Sequence, residues 1–172
     1  MAFTFTVEDG TPIANSNSYV AVADADDYYE IDQNFAATWT AYTTGEKEER
    51  LAWSSRILDQ KCLFEGYRVA STQSMRWPRY GVCDKDGEAI SRTTIPWQLQ
   101  EAVLEHLKYS VTNDATTGSD VDYLSKVVVD VIELEYQEDT AQTNVPNILN
   151  NILDPIGKYI VGGRGSGKIR KA

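Results

Sequence analysis

The side chains best able to do chemistry in this sequence are few and scattered. His106 is the only histidine, which excludes a two-histidine metal site or a histidine acid–base pair within one subunit. It falls on the apolar stripe of an amphipathic segment, where packing outweighs chemistry, and no nucleophile-elbow string accompanies it. Cys62 and Cys83 stand 21 positions apart with no neighbouring ligand pair, so zinc is not expected. Gly162 through Lys168 fits G-x-x-x-x-G-K, a phosphate-cradling string. That chemistry needs a strand before the loop, a helix after it, and a Ser or Thr behind the lysine for magnesium. Ile169 occupies that position, so the string reads as a flexible basic tail. Asp84-Lys85-Asp86-Gly87 resembles the middle of a calcium loop, but that register puts Val82 and Thr93 where carboxylates are needed. It reads as a turn. No catalytic residue, metal or cofactor is expected, and the chain is not read as an enzyme.

Trp77-Pro78-Arg79-Tyr80, with Tyr67, Arg68 and Arg76, is a different kind of signal. Cations mixed with aromatic rings can hold single-stranded bases. The same mixture can fold back on the helices, with Trp77 buried and the arginines paired to surplus acids, and this packing reading is preferred.

Charge frames that choice. The chain of 172 residues has 26 acids against 16 Lys plus Arg, a net charge of −10, which weighs against a general nucleic-acid coat. Past Asp154 there are five cations and no acid, so residues 1–154 hold 11 cations against 26 acids, a net of −15. An acidic body thus ends in a basic, glycine-rich tail. Two cysteines do not make a disulfide scaffold. The first thirty residues carry six acids and no apolar run, so no secretory leader is expected. No stretch approaches the roughly 20 apolar residues of a membrane helix.

The elements that must position these groups are mainly helical. Residues 1–14 read as an N-terminal strand or arm, Phe3 to Val7 alternating before Asp9-Gly10. Helices are expected from Tyr19-Val20 to about Asp32 and from about Thr44 to Lys61. The second has Thr43 and Glu46 at capping-box spacing and Leu51, Ala52, Ser55, Leu58 and Cys62 on one face. Residues 66–94 read as an irregular connector. A third helix opens at Pro96, its stripe running through Leu99, Ala102, Val103, His106, Leu107 and Ser110. Val127–Tyr136 reads as a strand whose partner is the N-terminal strand, another segment or a neighbouring subunit. A last helix begins near Asn144-Val145-Pro146 and stops at Pro155. The expectation is a small bundle of about four helices over 15–156, with a minor β-strand or hairpin insertion around 121–140 and an extended tail over 157–172.

Several strings resemble a known family. Asn17-Ser18-Tyr19-Val20, with Asp24-Ala25-Asp26-Asp27-Tyr28-Tyr29 behind it, is similar to the opening of a head–tail connector group of tailed bacteriophages. So are Arg56-Ile57-Leu58-Asp59 and, most closely, Met75-Arg76-Trp77-Pro78-Arg79-Tyr80-Gly81-Val82 followed by Asp84-Lys85-Asp86-Gly87-Glu88-Ala89-Ile90. Ala21 departs from the serine cap usual there. Members are often labelled DnaT-like single-stranded-DNA-binding proteins. The resemblance implies a virion adaptor, assembled in the bacterial host cytoplasm, that forms a ring of usually twelve subunits under the portal protein. Packaged double-stranded DNA would pass its channel without sequence-specific binding, and a tail or stopper protein would dock below. In this reading Trp77, Pro78, Arg79, Asp84, Asp86 and Gly87 form a structural motif. The portal contact falls to Lys158, Tyr159, Ile160, Arg164, Lys168, Arg170 and Lys171. The alternative is a single-stranded-DNA-binding replication protein of DnaT-like type.

Overall fold

Glu46 N donates to Thr43 Oγ1, and the Glu46 carboxylate accepts in return from Thr43 N at 2.8 Å. This reciprocal cap satisfies two backbone donors, so the long helix starts where the spacing predicts. The computed structural model describes residues 3–113, 126–129, 132–135 and 147–160. Within them the helices are α1 (Val22–Glu30), α2 (Ala36–Ala41), α3 (Thr44–Lys61), α4 (Trp97–Thr112) and α5 (Asn147–Leu153). The strands are β1 (Cys62–Phe64), β2 (Tyr67–Arg68), β3 (Arg79–Tyr80), β4 (Lys126–Val129), β5 (Ile132–Glu135) and β6 (Gly157–Tyr159). The fold is mainly helical with minor strand pairs, as the sequence implies.

Helix α4 is the centre of the bundle. It packs on α3 and on α5, and Leu99, Ala102, Val103, His106 and Leu107 on its inner face are all buried. Pro96 is its N-cap, where a missing N–H costs nothing. The first helix departs from expectation at both ends. Ser18 Oγ accepts from Val20 N and donates to Val20 O, which holds Tyr19 and Val20 outside the helix. Ala21 is an N-cap without a side-chain bond. At the other end, Asp32 Oδ1 accepts from Asn34 N and Phe35 N. Asp32 therefore opens the turn into α2, a helix the sequence reading missed. Tyr29, Phe35 and Trp39 cluster there, and Tyr29 hydroxyl donates to Leu104 O at 2.6 Å.

The β expectations need correction. Residues 3–18 contain one isolated bridge, Val7 to Ser18, so the N-terminal segment is an arm rather than a strand. The β insertion expected around 121–140 is a hairpin, β4 paired antiparallel with β5, where the pattern over 127–136 reads as one strand. Among the described residues neither strand pairs with the N-terminal segment. The connector 66–94 holds a second antiparallel pair, β2 with β3. A third pair, β1 with β6, was not expected at all.

Candidate nucleic-acid interface

On α3, Glu49, Ala52, Trp53, Arg56, Asp59 and Gln60 fall at i, i+3, i+4, i+7, i+10 and i+11, one continuous stripe. That stripe forms one wall of an open groove of about 880 Å³. Arg68 and Arg76 from the connector line it, and the N-terminal arm contributes Phe3, Ser16 and Asn17. Three arginines, all exposed, therefore converge on one groove with Trp53 and Phe3 beside them. In a chain of net charge −10 this is a local reversal of sign.

The floor of the groove is a hydrogen-bonded relay. Tyr19 hydroxyl donates to Asp59 Oδ1 and accepts from Trp77 N at 3.1 Å. Asp59 Oδ2 accepts from Arg76 N at 3.0 Å, and Arg76 Nε donates to Asp59 O at 2.9 Å. Burial pushes the Asp59 carboxyl up to about 6, against the downward pull of Tyr19 and Arg76. Burial, reinforced by Asp59, also drives the Tyr19 phenol well above its ordinary range. Arg76 is thus pinned by its main chain and Nε to the wall, beside the groove it lines.

Trp77, Pro78 and Arg79 lie behind this surface. Trp77 is fully buried, with Phe64 edge-on at 6.2 Å. The Arg79 guanidinium donates to the carbonyl oxygens of Glu65 and Gly66 at 2.5 Å each, of Arg76 at 3.2 Å and of Phe64 at 3.4 Å. The expected pairing of arginines with surplus acids is therefore corrected. Arg79 satisfies backbone instead, and the two ion pairs among the described residues are Lys47–Asp26 and Lys108–Asp32.

His106 is buried between the rings of Trp53 and Tyr159, stacked at 5.8 and 6.5 Å. Ser54 Oγ donates to Val103 O at 2.7 Å and lies 2.9 Å from His106 Nδ1. Nε2 is left without a partner among the described residues. Burial lowers the His106 value to about 4. Ser54 and His106 are both fully buried in the interior. The packing reading of His106 agrees with this geometry.

The remaining sequence candidates are dispersed. Asp84 Oδ1 accepts from Asp86 N and Glu88 N, and Gly87 N donates to Asp84 O, with Gly87 at φ +83°. That is a self-contained turn, and no metal-binding group of acids, histidines and cysteines occurs among the described residues. Lys158 and Tyr159 belong to β6, opposite Leu63 and Cys62. Ile160 N donates to Lys61 O. Tyr159 is only 3% exposed, so the apolar anchor expected at Lys158, Tyr159 and Ile160 is part of the body and not of a tail beginning at 157. Arg164, Lys168, Arg170 and Lys171 lie outside the described residues.

Sequence reasoning named Arg68 and Arg76 but missed Trp53, Arg56 and Phe3. The mixed polar stripe from Glu49 to Gln60, alongside the apolar face of the same helix, was the available signal.

No curated protein and no solved structure matches this chain. A family model described as "Putative DnaT-like ssDNA binding protein" matches residues 3–172. On that match, which spans nearly the whole sequence and includes every residue of the groove, the chain belongs to this DnaT-like family.

Proposed function

We propose that the protein binds single-stranded DNA along the groove between α3, the connector and the N-terminal arm. The convergence of Arg56, Arg68 and Arg76 with Trp53 and Phe3 is the observation that carries this reading. Guanidinium groups bind phosphate oxygens, and aromatic rings accept unstacked bases of any sequence. Elsewhere the acidic body repels the backbone, which confines the strand to one track. The family description points the same way. Hydrogen–deuterium exchange with and without an oligo-dT strand tests the assignment. Protection over residues 49–60 and 66–76 supports it. Protection confined to other segments contradicts it.

A second reading is the virion adaptor, in which the chain forms a ring, of twelve subunits by resemblance, between portal protein and a tail or stopper protein. Burial of the Trp77-Pro78-Arg79 block favours it, because the string that resembles the connector group most closely is then architectural, as that reading requires. A body of net charge −15 over residues 1–154 also suits a channel through which duplex DNA slides. Native mass spectrometry with portal protein separates the readings. A closed ring supports the adaptor, and a chain that stays monomeric with portal present rejects it.

A further inference from the structure

Tyr67 and Tyr80 face each other across β2 and β3, their ring centroids 5.7 Å apart and tilted by 34°. They are 69% and 49% exposed. Two-residue strands do not hold together alone, so something must fix this pair. The Arg79 guanidinium does so from within, through its four carbonyl partners at the base of the hairpin. Gly66, at φ +65°, adds a second constraint, since a Cβ there would sit 2.3 Å from Tyr80 O. Only glycine lets the two strands approach so closely.

The register then decides which side chains face where. Cross-strand partners share a face and neighbours alternate. Arg68 and Arg79 are partners, and Arg79 is buried against the body. Tyr67 and Tyr80 therefore share the opposite, outward face. Arg68, the residue next to Tyr67, lines the arginine groove. One of its Nη groups donates to Gln73 O, and its other N–H groups have no partner among the described residues. Arg68 follows Tyr67 directly but leaves the opposite face of the hairpin, so a strand held at Arg68 reaches the tyrosine face by turning over the edge of β2.

We infer that the Tyr67–Tyr80 pair is a nucleobase-stacking platform, on which a single strand lays its bases as it leaves the groove over Arg68. This rests on the single-strand reading proposed above and extends the site beyond the groove. The occupant is a single strand because the neighbouring charge is cationic and because π-faces exposed in pairs accept unstacked bases, which a duplex does not offer.

The test uses the full chain and a fluorescein-labelled oligo-dT, with fluorescence anisotropy as the readout. Both tyrosines are on the surface, so Tyr67→Ala/Tyr80→Ala is expected to fold, and circular dichroism checks this. The double variant should bind at least about tenfold more weakly, as loss of base stacking requires, with the salt dependence of binding unchanged. Tyr67→Phe/Tyr80→Phe should restore near-wild-type affinity, and an abasic strand should bind wild type and double variant alike. If the double-alanine variant binds as wild type while Arg56→Ala/Arg68→Ala loses affinity, the platform is wrong and the groove reading stands. If the wild-type chain binds no oligo-dT, both fall together. If the tyrosine variant changes only self-association in sedimentation, the surface belongs to a second copy and the inference is overturned.

Discussion

The Tyr19 hydroxyl and the Asp59 carboxylate, 40 positions apart in sequence, share a hydrogen bond that ties the segment before α1 to the groove wall of α3. Trp77 N donates to the same hydroxyl. One phenol thus joins three segments: the approach to α1, the end of α3 and the Trp-Pro-Arg block. The charged face of the groove and the apolar interior are built on a common support.

Trp77→Ala should lower stability by about 3–5 kcal/mol, the usual cost of deleting a buried indole. Trp77→Phe should cost much less. Trp77 Nε1 has no partner among the described residues, so the smaller ring forfeits packing but no hydrogen bond. Chemical denaturation of both variants checks the order. Equal losses would contradict a role for Trp77 that rests on ring packing.

Asp59 and His106 should oppose each other in acid. The folded value of Asp59 is about 6, above its ordinary 3.8, so its contribution favours folding at low pH and is lost as pH rises through 6. The folded value of His106 is about 4, below 6.5, so its contribution is present above pH 6.5 and is lost as pH falls through 4. Wild-type stability should change little between pH 4 and 6. Asp59→Asn should expose the histidine slope and weaken with acid, and His106→Phe should expose the carboxyl slope and strengthen. Urea midpoints across that range decide. Parallel slopes for the two variants would contradict the assignment.

Tyr159→Ala should destabilise the fold by about 3 kcal/mol or more, because the ring is buried against His106 and its strand closes the pair with β1. Lys158→Ala, at an exposed position of the same strand, should stay within about 0.5 kcal/mol of wild type. Thermal melts of the pair measure this. Similar melting temperatures would return residues 157–160 to a dispensable tail.

Much of this fold is written locally. Helix α3 begins at Thr44 because Thr43 and Glu46 form their cap from sequence alone, and α4 follows Pro96 and an apolar stripe that needs no partner to be recognised. Helix α2 is only six residues, less than two turns, and its start depends on the Asp32 carboxylate turning back on Phe35. Pairing of Cys62 with Tyr159 joins positions too distant for any local pattern to announce. The site was legible in part for a similar reason. Residues 67–80 show cations and rings in one stretch, but which enter the body is set by the register of a two-residue hairpin. Register sends Arg79 inward and Tyr67 and Tyr80 outward, while Trp77 takes the core. Trp53 and Arg56 join the groove only when α3 lies against the connector.

The most direct test of single-strand binding in the groove is oligo-dT affinity measured by anisotropy over a range of salt for wild type, Trp53→Ala and Arg56→Ala/Arg68→Ala. The groove predicts measurable binding by wild type that weakens with salt, the logarithmic slope falling by about 0.7 for each lost phosphate contact in the arginine variant. Trp53→Ala should weaken binding with no change of slope, since it removes stacking rather than charge. Equal affinity and equal slope for all three proteins would contradict the account.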